Sequence, residues 1–119
     1  MISEDFALYD NPKREWDDFY NEEIVNNEMY KTLFFRYKDK MYQFQSIAYK
    51  NGETLDGVLI GPESYMFFEI KGEYQNWDIA SKPIYYKSFK EAVDNAKMED
   101  GKTFKEIWDE PDSEVLDFM

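Results

Sequence analysis

Histidine and cysteine are absent from these 119 residues. Their absence excludes Ser-His-Asp and Cys-His nucleophilic systems, thiolate and imidazole zinc sites, disulfide frameworks and redox thiols. Long apolar runs are missing too. The longest uncharged apolar stretch, Tyr65 to Phe68, has a short strand's length, against the roughly 18 to 20 residues that a membrane-crossing helix needs. Basic charge is scarce: 14 Lys and Arg face 26 Asp and Glu, a formal −12, so polyanions such as nucleic acid and acidic membranes are repelled at long range. The start, Met1-Ile2-Ser3-Glu4-Asp5-Phe6, lacks the basic residues and apolar run of a secretory leader, and a cytoplasmic location is expected.

Apolar residues make up 43% of the chain, enough for one core and too few for two, so residues 1–119 read as a single domain. Twelve of the fourteen basic residues are Lys, and they accompany seven Asn and abundant Tyr and Phe. AT-rich codons produce that combination, which points to a bacterial or phage source.

Charge is unevenly placed along the chain. Residues 1–30 hold nine acids and two bases, residues 31–97 nine and ten, and residues 98–119 eight and two, for net values of −7, +1 and −6. The acidity therefore lies in the two ends, around a nearly neutral, strand-like centre.

Residues 1–10 have no clean period and read as an arm, partly docked through Phe6, Leu8 and Tyr9. Asn11-Pro12 is a helix opening, and Trp16, Phe19, Tyr20 and Ile24 follow as one apolar stripe with Glu15, Asp18 and Glu22 opposite. Lys31 to Tyr37 and Met41 to Tyr49 read as a hairpin around Lys38-Asp39-Lys40. Asn51-Gly52 turns the chain into a third strand, Leu55 to Ile60, and Gly61-Pro62 precedes a fourth, Tyr65 to Lys71. An irregular stretch around Trp77 precedes a short edge strand, Ile84 to Lys87.

Ser88-Phe89-Lys90-Glu91 and Thr103-Phe104-Lys105-Glu106 both match the capping box, in which hydroxyl and carboxylate satisfy each other's orphan amides. Helices are expected from Phe89 to Met98, with Phe89, Ala92, Val93 and Ala96 inward, and from Phe104 to Asp109. Asp112 to Met119 alternates weakly and reads as an arm or an edge strand. The fold class expected is α+β: an antiparallel meander of four to five strands, with an N-terminal acidic helix and two short C-terminal helices on one face. Its core should be unusually aromatic, because 23 aromatic residues outnumber the 17 Ile, Leu and Val.

Several patterns imitate functional motifs. Ala96 to Thr103 fits the letters of a phosphate-binding loop, but a helix precedes it and Glu99 and Asp100 oppose phosphate, so it reads as a capped helix junction. Three Trp-Asp pairs, at 16–17, 77–78 and 108–109, are unequally spaced and form no propeller repeat. No glycine has the oxygen-donor spacing of a calcium hand. No cofactor or metal is implied. With 26 acids, some pair of carboxylates lies at a catalytic distance by chance, so such a pair has no weight as a signal. Lys31, Arg36, Lys38, Lys40 and Lys50, interleaved with Tyr37, Tyr42 and Phe44, resemble a single-strand-binding sheet, but the rest of the molecule opposes a nucleic-acid ligand.

The acidic ends remain. Carboxylates arrayed on helices can occupy a groove built for phosphate and steer association with it. The expectation is a non-catalytic module that binds a basic surface, as of a nuclease or toxin, through Glu15, Asp17, Asp18, Glu22 and Glu23, with Asp109, Glu110 and Asp112 as a second group. Small inhibitors and immunity proteins of phages and mobile elements, nucleic-acid mimics among them, work this way. The alternatives are a self-assembling component that sets the basic hairpin against another copy's acidic helix, and a small carboxylate-dependent enzyme.

Overall fold

A computed structural model describes residues 15–26, 31–73 and 76–118, with the backbone alone for residues 73, 76 and 77. The expected arm at residues 1–10 and the Asn11-Pro12 helix opening lie outside the described residues. The fold is α+β, with a six-stranded sheet in which every pairing is antiparallel.

The strands are β1 (Thr32–Tyr37), β2 (Lys40–Ser46), β5 (Tyr65–Glu73), β6 (Asn76–Ile79), β7 (Ile84–Tyr86) and β8 (Ser113–Phe118), in the order β6-β5-β2-β1-β8, with β7 also paired to β5. The expected hairpin is present: Tyr37 pairs with Lys40 across a turn in which Lys38 takes a left-handed conformation, φ 57°.

The expected third strand is replaced by a turn. Leu55 to Ile60 is cut by Asp56 (φ 50°) and Gly57 (φ 81°) into β3 (Thr54–Leu55) and β4 (Val58–Leu59), a separate two-stranded hairpin. Asp-Gly accepts the two positive φ angles of a tight hairpin turn, so it breaks the apolar run locally. The partner of β2 is therefore β5, and residues 47–64 form an excursion whose base is closed by the Ile47 N–H donating to the Ser64 carbonyl at 3.0 Å. The stretch expected to be irregular around Trp77 is strand β6, held by β5.

The sequence places apolar side chains on both faces of the sheet. Toward one face point Leu33, Phe35, Tyr42, Phe44, Tyr65, Phe67 and Val115, all buried under the helices. Ten of the eighteen buried residues of that cluster are aromatic, so rings rather than aliphatic chains fill the layer between sheet and helices, as the composition predicts. Toward the other face, Phe34, Phe68, Ile70 and Leu116 form a second buried cluster.

Strand β8 shows why its alternation looks weak in the sequence. Its register against β1 shifts between Phe34 and Phe35, which pair with Asp117 and Val115, leaving Leu116 as the extra residue. The irregularity lets Val115 and Phe118 join the helix-side core while Leu116 joins the opposite cluster.

Three helical elements cover the first face. Helix α1 (Trp16–Phe19) continues as a π-helical turn over Tyr20–Val25, with Phe19 and Ile24 buried. Helix α2 (Phe89–Asn95) is capped by the Ser88 side chain, which accepts from the Glu91 N–H, and it buries Phe89, Ala92 and Val93. It stops three residues before the expected Met98, because Ala96 is extended (ψ 138°) and Lys97 bridges to Thr103. Helix α3 (Phe104–Ile107) begins with a complete Thr103–Glu106 capping box.

Candidate functional site

Helix α1 is fastened to the domain by rings. Phe19 stacks on Trp108 with centroids 4.5 Å apart, and Trp16 meets Trp108 edge-on at 5.4 Å and Phe104 at 5.8 Å. Two of the three Trp-Asp pairs are thus neighbours in space. The Trp16–Trp108 contact sets the segment carrying Asp17 and Asp18 beside the one carrying Asp109, although 91 positions (108 − 17) separate Asp17 from Trp108. The side chain of the third, Trp77, lies outside the described residues.

On α1 the polar side follows from the apolar one. With Trp16, Phe19, Tyr20 and Ile24 turned inward, Glu15, Asp17, Asp18 and Glu22 are exposed and Glu23 is half-buried. Asp17 and Asp18 occupy the first turn, where negative charge favourably faces the unpaired amides. A carboxylate of α2 adjoins the same segment. The Tyr20 hydroxyl donates to Asp94 of α2 at 2.6 Å, and Lys90 pairs with the same carboxylate at 2.8 Å. Burial, then the Asp94 carboxylate, raise the Tyr20 phenol above its ordinary value. The sequence reading missed Asp94 because nothing local links it to Tyr20, 74 residues away.

The second group divides. Asp109 is exposed and follows Trp108, whose ring meets Trp16 and Phe19. Glu110 is half-buried and pairs with Lys102 at 2.9 Å, while Asp112 lies at the β1–β2 turn, its carbonyl accepting from the Lys38 N–H at 2.8 Å. The second group is therefore divided: Asp109 follows the tryptophan that meets Trp16, Glu110 is held at the α2–α3 junction by Lys102, and Asp112 lies at the hairpin turn.

The hairpin cations are engaged within the fold, by partners other than α1. Arg36 pairs with Glu114 at 2.6 Å, Lys38 with Asp100 at 3.4 Å, and Lys40 with Glu99 at 2.7 Å and Glu69 at 3.3 Å. Lys50 reaches Glu53 at 4.0 Å, and Lys31 lies 5.1 Å over the Phe118 ring. Solvent-exposed pairs like these add little to stability, so what they change is chiefly the field. Glu99 first, then Glu69, hold the Lys40 ammonium well above the ordinary lysine range. The rings that would stack bases, Tyr37, Tyr42 and Phe44, are buried under the helices.

The loop with phosphate-binding letters is a tight junction between α2 and α3. Its Lys102 is held by Glu110, its Thr103 caps α3, and Asp100 accepts from the Tyr37 hydroxyl at 2.7 Å and the Lys102 N–H at 3.1 Å. Among the described residues, no group of three or more carboxylates is placed to hold a metal ion, and no helix is long and apolar enough to cross a membrane. No protein-family model matches the chain, nor does any curated protein or solved structure.

Proposed function

We propose that this chain is a non-catalytic, cytoplasmic protein-binding module whose acidic surface, Glu15, Asp17, Asp18 and Glu22 of α1 together with Asp109, masks a basic surface on a partner protein. The observation that carries the reading is the seating of Trp16 and Phe19 on Trp108, which ties the segment bearing the N-terminal acids to the residue before Asp109. Among the described residues, the side chains of Asp17 and Asp109 make no ion pair. The hairpin cations Arg36, Lys38 and Lys40 are engaged by Glu69, Glu99, Asp100 and Glu114. A surface of this kind fits a groove shaped for phosphate, so the partner class is a nuclease or a toxin with a basic working surface, and the setting a phage or mobile element.

Pairing of the hairpin within its own fold weighs against self-assembly through it. The test is capture of partners from a host lysate at low salt, followed by association rates for the partner recovered. Rates should fall about tenfold or more as ionic strength rises, since fields of this type accelerate encounter by roughly 10–10³-fold. Reversing Glu15, Asp17, Asp18 and Asp109 to Lys should slow association by a similar factor. Binding indifferent to both salt and reversal would reject the proposal, and a particle size that drops as salt rises would favour the self-assembling alternative.

A further inference from the structure

We propose that Asn51 is a conditional deamidation site, closed in the folded chain by the hydrogen bond from Gly52 to Ile60 and opened when the excursion of residues 47–64 locally unfolds. Of the chain's seven asparagines, Asn51 is the one followed by glycine. The reaction requires the Gly52 backbone nitrogen to lose its proton and attack the carbonyl carbon of the Asn51 side chain. A C–N bond forms, ammonia leaves, and the five-membered imide then takes up water to give Asp or its isomer with the backbone routed through the side-chain carbon. Glycine promotes the attack because it places no Cβ beside the nitrogen.

Asn51 is exposed, so water reaches it freely, yet the fold blocks the attack in two ways. The Gly52 N–H donates to the Ile60 carbonyl at 2.9 Å, so the nucleophile is occupied. The Asn51 backbone, with ψ 129°, turns that nitrogen away from its own side chain, because ring closure requires ψ of the opposite sign. The lock has an anchor. Ile60 is 1% exposed, and its own N–H returns a bond to the Glu53 carbonyl at 2.8 Å. Modification therefore waits on withdrawal of Ile60 from its buried seat.

The product keeps a record of the opening. The isomer adds a methylene to the backbone between positions 51 and 52, so Gly52 no longer meets Ile60 in register, and either product adds a negative charge. The same excursion presents Tyr49 and Leu59, 71% and 62% exposed, so its lasting opening alters an apolar part of the surface. The inference stands whether or not the acidic surface binds a protein.

The experiment compares conversion of Asn51, by peptide mapping, in the full folded chain and in a synthetic peptide of residues 47–57 at the same mildly alkaline pH, alongside hydrogen exchange of the Gly52 amide. The folded chain should convert roughly tenfold or more slowly, the protection that an opening free energy of about 1.4 kcal/mol provides. Ile60→Val, which loosens the anchor without emptying its seat, should accelerate exchange at Gly52 and conversion at Asn51 together. Equal rates in folded chain and peptide would overturn the proposal. So would a variant in which Gly52 exchange quickens while Asn51 conversion does not.

Discussion

Ser113 is 8% exposed at the mouth of β8, and its hydroxyl donates to the Ile107 carbonyl at 2.5 Å, with the Glu110 carbonyl also 3.0 Å away. It satisfies the end of α3 where the chain turns back toward the sheet. Ser113→Ala leaves those carbonyls short of a buried donor and should cost about 1–3 kcal/mol in urea denaturation. Gly57 offers a cleaner case. A Cβ there would meet nothing within 4 Å, yet φ is +81°, so Gly57→Ala should destabilise by about 1–2 kcal/mol through backbone conformation alone. A neutral result would mean that the β3–β4 turn contributes little to folding. At this scale the sequence was legible wherever a residue's partner lies within a few positions, as in both N-caps, and illegible where it does not. The turn at Asp56-Gly57 escaped the sequence reading because the apolar residues on either side of it read as one continuous strand from Leu55 to Ile60.

Among the elements, α1 carries the most consequence for its size. It has four residues before the π-helical turn, too few to persist unaided, since isolated helices below about 12–15 residues are marginal in water. Its place comes from Phe19, 0% exposed and stacked on Trp108. Phe19→Ala should cost about 3–5 kcal/mol and detach the acids of α1 from Asp109, detectable as faster proteolysis between residues 15 and 26 before global unfolding. Coincident cleavage and unfolding would show α1 to be inseparable from the core. The apolar stripe on α1, the inward face of α2 and the two helix starts were all readable, because 3.6-residue periodicity and capping are local. The π-helical turn was not: Trp16, Phe19, Tyr20 and Ile24 suit an α-helix equally well, and packing alone selects the wider turn, in which the Asn26 N–H reaches the Asn21 carbonyl at 3.1 Å. Strand β6 and the irregularity in β8 escaped for the same reason, as pairing with β5 and β1 defines them.

Over the whole molecule, charge was readable as a sum and not as a pattern. The segment totals identified acidic ends, whereas only the fold assigns Glu99, Asp100 and Glu114 to the central lysines and arginine, and Glu110 to Lys102 of its own segment. This arrangement has a pH signature. The Tyr37 hydroxyl holds the Asp100 carboxyl below its ordinary 3.8, and the Thr103 amide holds that of Glu106 below 4.5. With both values depressed in the folded state, their contribution is complete above the ordinary values and is lost as pH falls through the depressed ones. Denaturation midpoints should therefore drop on acidification below about pH 4.5, and the Asp100→Asn, Glu106→Gln double variant should start lower at neutral pH and decline less steeply.

The order of the strands also dictates when the sheet can be finished. β1 is among the first strands to leave the ribosome, yet the neighbour that closes its open side, β8, is the last described element to be made. Until β8 is made, the backbone edge of Thr32–Tyr37 is an available template that carries Leu33, Phe34 and Phe35. A nascent or nicked polypeptide that stops short of Ser113 is consequently the species most exposed to misassociation, and the final half-dozen residues of the sheet act as its closure.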